Sequence, residues 1–415
     1  MADTSDTPYL PHTPADDAAS SAATASGAPH DPGDAGTSHN PLRSPRLAAG
    51  ILLAAAVLAI VLANSPLGPT LLAVQATEVP LPVAGHTLSV GHWISDGLLA
   101  VFFFTAAIEL RRELTVGSLS SASAALRPAI AAVGGVVAPI AVYLVIAGSS
   151  APDGWPIPTA TDIAFALGVL AVIGRGLPGR IRVFLLALAI IDDIIAIIII
   201  AVFFTDDPRP VPLLLAAVGV AAVAVLSRTM PGGVLRTVLL IVVGVAVWAA
   251  VLSSGVHATI AGVALGLALA SAPGDTAAHR LEPVVNGAIL PLFAFSAALV
   301  AIPSVPLDEL AAPFWAIMLA LPLGKLIGIT AGALLGRLVG SGGERLTLGD
   351  ALVVASLGGI GFTVSLLMKE LAFAGDETIA TEGTLGVLLG SAISVVLAVV
   401  VVAVRRSALR RTAGR

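Results

Sequence analysis

The sequence has no cysteine at any of its 415 positions. Disulfides, thiolate metal sites and thiol nucleophiles are excluded together. Charge is almost as scarce: Asp, Glu, Lys and Arg make up 11% of the chain, against roughly 25% in soluble domains. So few charges cannot cover the water-facing surface of a protein this long, which excludes a large soluble enzyme. Aromatic residues reach only 4%. Neither a phosphate-binding loop of the Gly-Lys-Ser/Thr type nor a His-Glu-x-x-His zinc motif occurs, so familiar catalytic signatures are absent too. A net charge of −5 offers nothing to nucleic acid. What the chain does have is apolar mass, 57% hydrophobic with 42 Gly and 28 Pro. That is the composition of an integral membrane protein whose partner is the lipid bilayer.

The first 46 residues stand apart. Positions 1–42 hold Asp3, Asp6, Asp16, Asp17, Asp31 and Asp34, no Lys or Arg, and much Pro, Ser and Ala. Such a segment buries too little apolar surface to offset its ordering entropy, so 1–46 is expected to be a disordered acidic tail. From 47 to 404 the chain is a succession of apolar runs of about 17–27 residues, suited to a hydrocarbon core of about 30 Å. Twelve transmembrane helices are expected, near 47–64, 95–116, 122–147, 157–174, 180–204, 211–227, 234–252, 255–272, 284–302, 312–338, 349–371 and 383–404. Between the seventh and eighth, only Ser253, Ser254 and Gly255 mark a turn.

With twelve spans and both termini cytoplasmic, eighteen of the 21 Lys and Arg residues fall on one side, as the positive-inside rule asks. Eleven spans would invert everything after residue 252 and destroy that asymmetry. Residues 405–415 then form a basic cytoplasmic tail. Arg209 and Lys369 are assigned to outer loops. The loop 65–92 carries two alternating stretches, 77–81 and 86–90, around Val83-Ala84-Gly85. It reads as an outer hairpin, either an ordered loop or a contact between two copies in a homodimer.

Among the ionisable residues of the predicted spans, five are read as membrane-embedded: Asp96, Asp162, Asp192, Asp193 and Lys325. Each costs about 2.5–3.5 kcal/mol at mid-helix, a total comparable with the roughly 5–15 kcal/mol that stabilises a whole domain. Such residues mark an ion path by default. Asp192 and Asp193 are flanked by Ile on both sides and lie about 100° apart on a helix, so they face different neighbours. One is expected to line a wet cavity and the other to face a cation. Lys325 is the candidate cation, since it alone among Lys and Arg is assigned deep in a span. Carboxylates, hydroxyls and carbonyls are hard ligands for hard cations. The same oxygens hold a proton or a sodium ion but not both, which is the minimum chemistry for exchanging one against the other and needs no cofactor.

Two predicted spans are interrupted. The fourth carries Pro156, Pro158, Thr159, Thr161 and Asp162; the eleventh carries Gly358, Gly359 and Gly361. Pro removes a helix hydrogen bond and Gly lowers helix stability. Each break falls in the middle span of a three-span group, 122–204 and 312–404, the sequence pointer to inverted three-helix repeats with a midplane site. Asp162 at one crossing and Lys325 near the other are placed to neutralise the exposed ends of the half-helices.

The stretches Trp93–Gly97 through Glu109, Pro158–Gly168, Ala187–Asp193, Ser254–Thr259 and Gly359–Thr363 occur in order and together resemble the NhaA sodium/proton antiporters. That family is itself one of the examples from which the inverted-repeat rule was drawn. The resemblance runs from about Arg46 to Arg405. It implies a multi-pass protein of the bacterial cytoplasmic membrane that exports Na+ or Li+ and imports more protons than it exports cations. It also implies residue roles. Asp193 is the main cation and proton carboxylate, Asp192 its neighbour paired with Lys325, Thr161 and Asp162 the crossing residues, and Asp96 a further carboxylate of the path. Glu109, Arg112, Glu113 and Glu282 form the cytoplasmic cluster tied to pH response. His257 matches a position linked to the same response, and reads equally as a packing and hydrogen-bonding residue. Departures are Ile195 in place of a small residue, the run Phe295–Leu299, and Ser253 where a Lys can occur.

Two rivals remain. A sodium-coupled solute symporter needs polar or aromatic groups around a substrate cavity, and Trp and Tyr are sparse. A non-transporting scaffold or sensor has no account of adjacent carboxylates buried among Ile.

Overall fold

The computed structural model describes residues 41–80, 87–117, 120–205, 208–302, 306, 309–339 and 346–413. The acidic segment up to residue 40 and the tip of the expected hairpin, 81–86, lie outside these residues. Apart from one small ribbon, the regular structure described is helical. In chain order the helices are α1 Pro45–Ala63, α2 Gly68–Ala76, α3 Val90–Thr115, α4 Ala122–Ala147, α5 Ile163–Ile173, α6 Gly179–Phe203 and α7 Pro210–Thr229. They continue as α8 Val234–Leu252, α9 Thr259–Ala268, α10 Ser271–Val284, α11 Leu290–Ala297, α12 Ala312–Leu335, α13 Leu348–Gly358, α14 Phe362–Ala372 and α15 Glu377–Ala413. Strands β1 Glu78–Pro80 and β2 Thr87–Ser89 pair antiparallel, Val79 opposite Leu88. The alternating stretches of the 65–92 loop thus meet as a hairpin, preceded by the short helix α2.

Among the described residues, eight helices are long and apolar enough to cross a membrane, and two bent pairs raise the candidates to ten. The bent pairs are the expected ones: the turns Pro152–Thr159 with α5 at 42°, and α13 with α14 at 49°. Two expected spans do not meet the same criterion. Helix α9 has 10 residues, about 15 Å of rise, half of a hydrocarbon core. The expected span 284–302 is helical only to Ala297, in a segment that passes through a wide turn at Val285–Ile289.

Small residues set how closely the helices approach. Where α4 crosses α12, a Cβ on Gly328 would collide with the carbonyl oxygen of Gly134 and come within 2.8 Å of Ala138. One turn away, a Cβ on Gly324 would lie 2.6 Å from the Cα of Pro139. This backbone contact carries Lys325, at the end of a wide π turn Ala320–Gly324, into the middle of the molecule. Such turns recur at functional sites.

Burial corrects the expected placement of one charge and shows two others enclosed. Lys369, assigned to an outer loop, lies in α14 and is 6% exposed, and Arg127 is 5% exposed. Long aliphatic stems let such side chains pack at helix ends. Asp350 is fully buried and gathers three elements. It caps α13 reciprocally with Thr347, and accepts from Arg180 of α6 at 2.8 Å and from Arg405 of α15 at 2.9 Å.

Candidate ion-binding site

At the two breaks the helices leave their ladders and face each other. Residues Ala160, Thr161 and Asp162 run without helical structure into α5, and Ile360 and Gly361 do the same before α14. The backbone N–H of Asp162 donates to the carbonyl of Ile360 at 2.7 Å, so the two interruptions are bonded at their crossing. The Asp162 carboxylate serves both half-helices. One oxygen accepts from Phe165 N at 2.9 Å, capping α5. The other accepts from Thr363 N at 3.2 Å and from its hydroxyl at 2.7 Å, at the start of α14. Two positive helix ends converge on one negative charge, the arrangement that helix-end electrostatics favours. Thr363, the last residue of the Gly359–Thr363 stretch, thus holds the Asp162 carboxylate at the crossing.

Beside the crossing, α6 presents Asp192 and Asp193 in different directions, as their 100° offset requires. Asp192 is 1% exposed and Lys325 is fully buried. The ammonium of Lys325 donates to Asp192 Oδ2 at 2.8 Å, to Thr161 Oγ1 at 3.2 Å and to the carbonyl of Thr159. Its three protons therefore have three acceptors. The Thr161 hydroxyl lies 2.8 Å from Asp192 Oδ2 and 2.8 Å from the carbonyl of Gly358, and its single proton can serve one of them. The carbonyls of Thr159 and Gly358 were not foreseen as site atoms. The unpaired carbonyls that end every interrupted helix were the signal.

Asp193 differs from both neighbours. It lies 9% exposed, and its Oδ1 has no hydrogen-bond partner among the described residues; the same holds for Oδ1 of Asp192. Asp193 sits within electrostatic reach of Asp192, Asp162, Lys325 and Glu109. An unpartnered buried carboxylate oxygen is rare, and each instance calls for a reason. Here the free oxygens are Oδ1 of Asp193 and Oδ1 of Asp192, beside a Lys whose three protons are already taken by Asp192 Oδ2, Thr161 and Thr159.

The remaining predicted residues divide between two ends. Asp96 lies in a wide turn Trp93–Leu98 of α3. With His257, whose Nδ1 is 3.8 Å from the Asp96 carboxylate, it lines a cavity of about 500 Å³ together with His92, Asp153 and Glu370. Neither Asp192 nor Asp193 lines that cavity. Glu370 was not singled out in the sequence, although it falls within the expected span 349–371 and lines this cavity. Glu109 lies about 20 Å further along α3 from Asp96, within electrostatic reach of Glu282, Arg112 and Glu113. The structure thus groups the four residues Glu109, Arg112, Glu113 and Glu282, and puts His257 with Asp96 instead.

A family model described as Na+/H+ antiporter 1 matches residues 39–402. The chain is 59% identical over 380 residues to Na(+)/H(+) antiporter NhaA 2 of Clavibacter michiganensis subsp. michiganensis, across 89% of this chain and 93% of that protein. It is 43% identical over 364 residues to Na(+)/H(+) antiporter NhaA of Tropheryma whipplei, across 86% and 94%. To Na(+)/H(+) antiporter NhaA 3 of Streptomyces coelicolor it is 44% identical over 384 residues, across 89% and 80%.

Proposed function

The chain belongs to the NhaA family of Na+/H+ antiporters, and from that membership we propose that it exports Na+ or Li+ in exchange for protons at the pair Asp192 and Asp193. It is a secondary transporter, not an enzyme, and takes its work from ion gradients. The observation that carries the site assignment is the contrast between the two carboxylates. Both have one oxygen with nothing to accept, but the other oxygen of Asp192 is held by Lys325 and Thr161, whereas neither of those groups holds Asp193.

Sodium entering this site meets Asp193, the free oxygen of Asp192 and the hydroxyl of Thr161. A cation there competes with protons for the same oxygens and with Lys325 for Asp192. Sodium binding therefore displaces protons, and releasing sodium on the far side lets protons return. Importing more protons than the cations exported makes the cycle electrogenic. Twelve spans, both termini in the cytoplasm of a bacterial cell and the basic end of α15 facing inward complete the proposed topology. The broken helices and α6 would rock against the remaining helices, exposing Asp193 alternately to the two faces. Asp96 and His257 would guard one mouth, and Glu109, Arg112, Glu113 and Glu282 the other, where they set the pH response. The two-stranded β1–β2 ribbon, marginal alone and open at its edges, would join two copies as a homodimer.

Everted vesicles carrying a preset ΔpH test the ion chemistry. Adding Na+ or Li+ alone should collapse the gradient and K+ should not. Asp193→Asn should leave it intact. A requirement for an added organic solute would favour a symporter, and full activity in Asp193→Asn would reject the site.

A further inference from the structure

Helix α15 is 37 residues long, about 55 Å, well beyond a hydrocarbon core of about 30 Å. Its apolar stretch ends at Arg405, so its last turns stand at or beyond the lipid headgroups. Arg406 and Arg410 are one turn apart and share a face of that helix. Opposite them is Arg175, on the turn after α5, where Gly176 adopts φ +84°, a conformation that side chains rarely take. These three guanidinium groups, with Gly176 and Leu409, line an open concavity of about 460 Å³. No carboxylate lines it, and none of the three arginines has an ion-pair partner among the described residues. Their neighbours are different. Arg405 and Arg180 share the buried carboxylate of Asp350, and that clamp fixes the end of α15 beside the start of α6. The cluster is therefore pre-positioned and uncompensated, with the apolar Leu409 beside it.

We infer that Arg175, Arg406 and Arg410 form a binding site for a phosphodiester anion, the headgroup of an anionic phospholipid. Planar guanidinium groups suit phosphate oxygens, and basic pockets between helices at a membrane face take anionic headgroups. The inference rests on the membrane placement and not on which ion is exchanged, so a failure of the antiport reading would leave it standing.

The test uses purified full-length protein in detergent, its thermal unfolding followed with added phosphatidylglycerol, phosphatidylcholine or inorganic phosphate. Phosphatidylglycerol should raise Tm by a few degrees, and the other two should not. Arg406→Gln/Arg410→Gln should abolish the rise. Arg182→Gln/Arg411→Gln, which removes two charges from the same end of the molecule, should keep it. Arg175→Gln, on the opposite wall, should reduce the rise by itself and serves if the double variant fails to fold. An equal loss in both double variants would mean diffuse attraction and overturn the site. So would an equal response to phosphatidylcholine. A rise with inorganic phosphate alone would assign a soluble anion instead. A phosphatidylglycerol response that appears only after deletion of residues 1–40 would give the site to the acidic N-terminal segment.

Discussion

Replacing Lys325 by Met keeps the length of the side chain and removes its charge. The structure fixes what is lost: three donated hydrogen bonds, to Asp192, Thr161 and the Thr159 carbonyl, all in a site closed to water. Asp192 retains the Thr161 hydroxyl but no cation. Removing one member of a buried pair costs about 3–5 kcal/mol, because a charge is left uncompensated. Much of that is the stranded carboxylate and not the pair itself. Lys325→Met/Asp192→Asn should therefore be more stable than Lys325→Met, with a coupling of roughly 1–3 kcal/mol. Thermal unfolding of the purified variants in detergent, followed by tryptophan fluorescence, orders them as wild type, double variant, Lys325→Met. A Lys325→Met protein within about 0.5 kcal/mol of wild type, the range of an ordinary surface change, would refute the reasoning. A double variant no better than the single one would refute it too.

Other substitutions separate structure from transport. Asp193→Asn should abolish Na+-driven proton movement with Tm unchanged or slightly raised, since Asp193 Oδ1 accepts no hydrogen bond; a large fall in Tm would show that it holds the fold. Asp162→Ala should do the opposite first, removing an N-cap worth about 0.5–2 kcal/mol and two bonds from Thr363 worth about 1.5–3 kcal/mol each when the acceptor is charged. Its expression and Tm should fall well below those of Asp193→Asn. Gly328→Val should lower Tm by the equivalent of about 1–3 kcal/mol, because its side chain would force α12 away from Gly134, and retained Tm would show that the helices can part. Asp350→Asn leaves Arg180 and Arg405 without their shared anion and should destabilise the protein more than Arg405→Gln, a ranking read by the same melt.

The site was legible where chemistry forbids coincidence. A charge inside an apolar run is costly wherever the helix sits, so Asp162, Asp192, Asp193 and Lys325 stand out in the sequence. The pairing of Lys325 with one of the two aspartates followed from the lack of another cation assigned to a span. The breaks were legible because Pro and Gly act on the local ladder. Long-range features were not. Asp350 finds Arg180 and Arg405 at separations of 170 and 55 residues, and nothing in its own neighbourhood announces burial. Wide turns at Asp96 and Lys325 share residue preferences with ordinary helix. The shortness of α9 was hidden because Val256 and the small residues after Gly255 are as apolar unwound as wound. Lys369 was assigned to an outer loop because a Lys near a span end reads as solvated, although it lies inside α14, which ends at Ala372.

In the proposed cycle, sodium and protons contend for the oxygens of Asp192 and Asp193. Apparent Na+ affinity of the purified protein, measured by calorimetry across a pH series, tests it most directly. Binding that must displace a proton weakens as pH falls. The apparent Kd should rise about tenfold per pH unit on the acid side for each proton displaced, level off in alkali, and lose this dependence in Asp193→Asn along with measurable binding. A sodium Kd that stays constant across the series would contradict it.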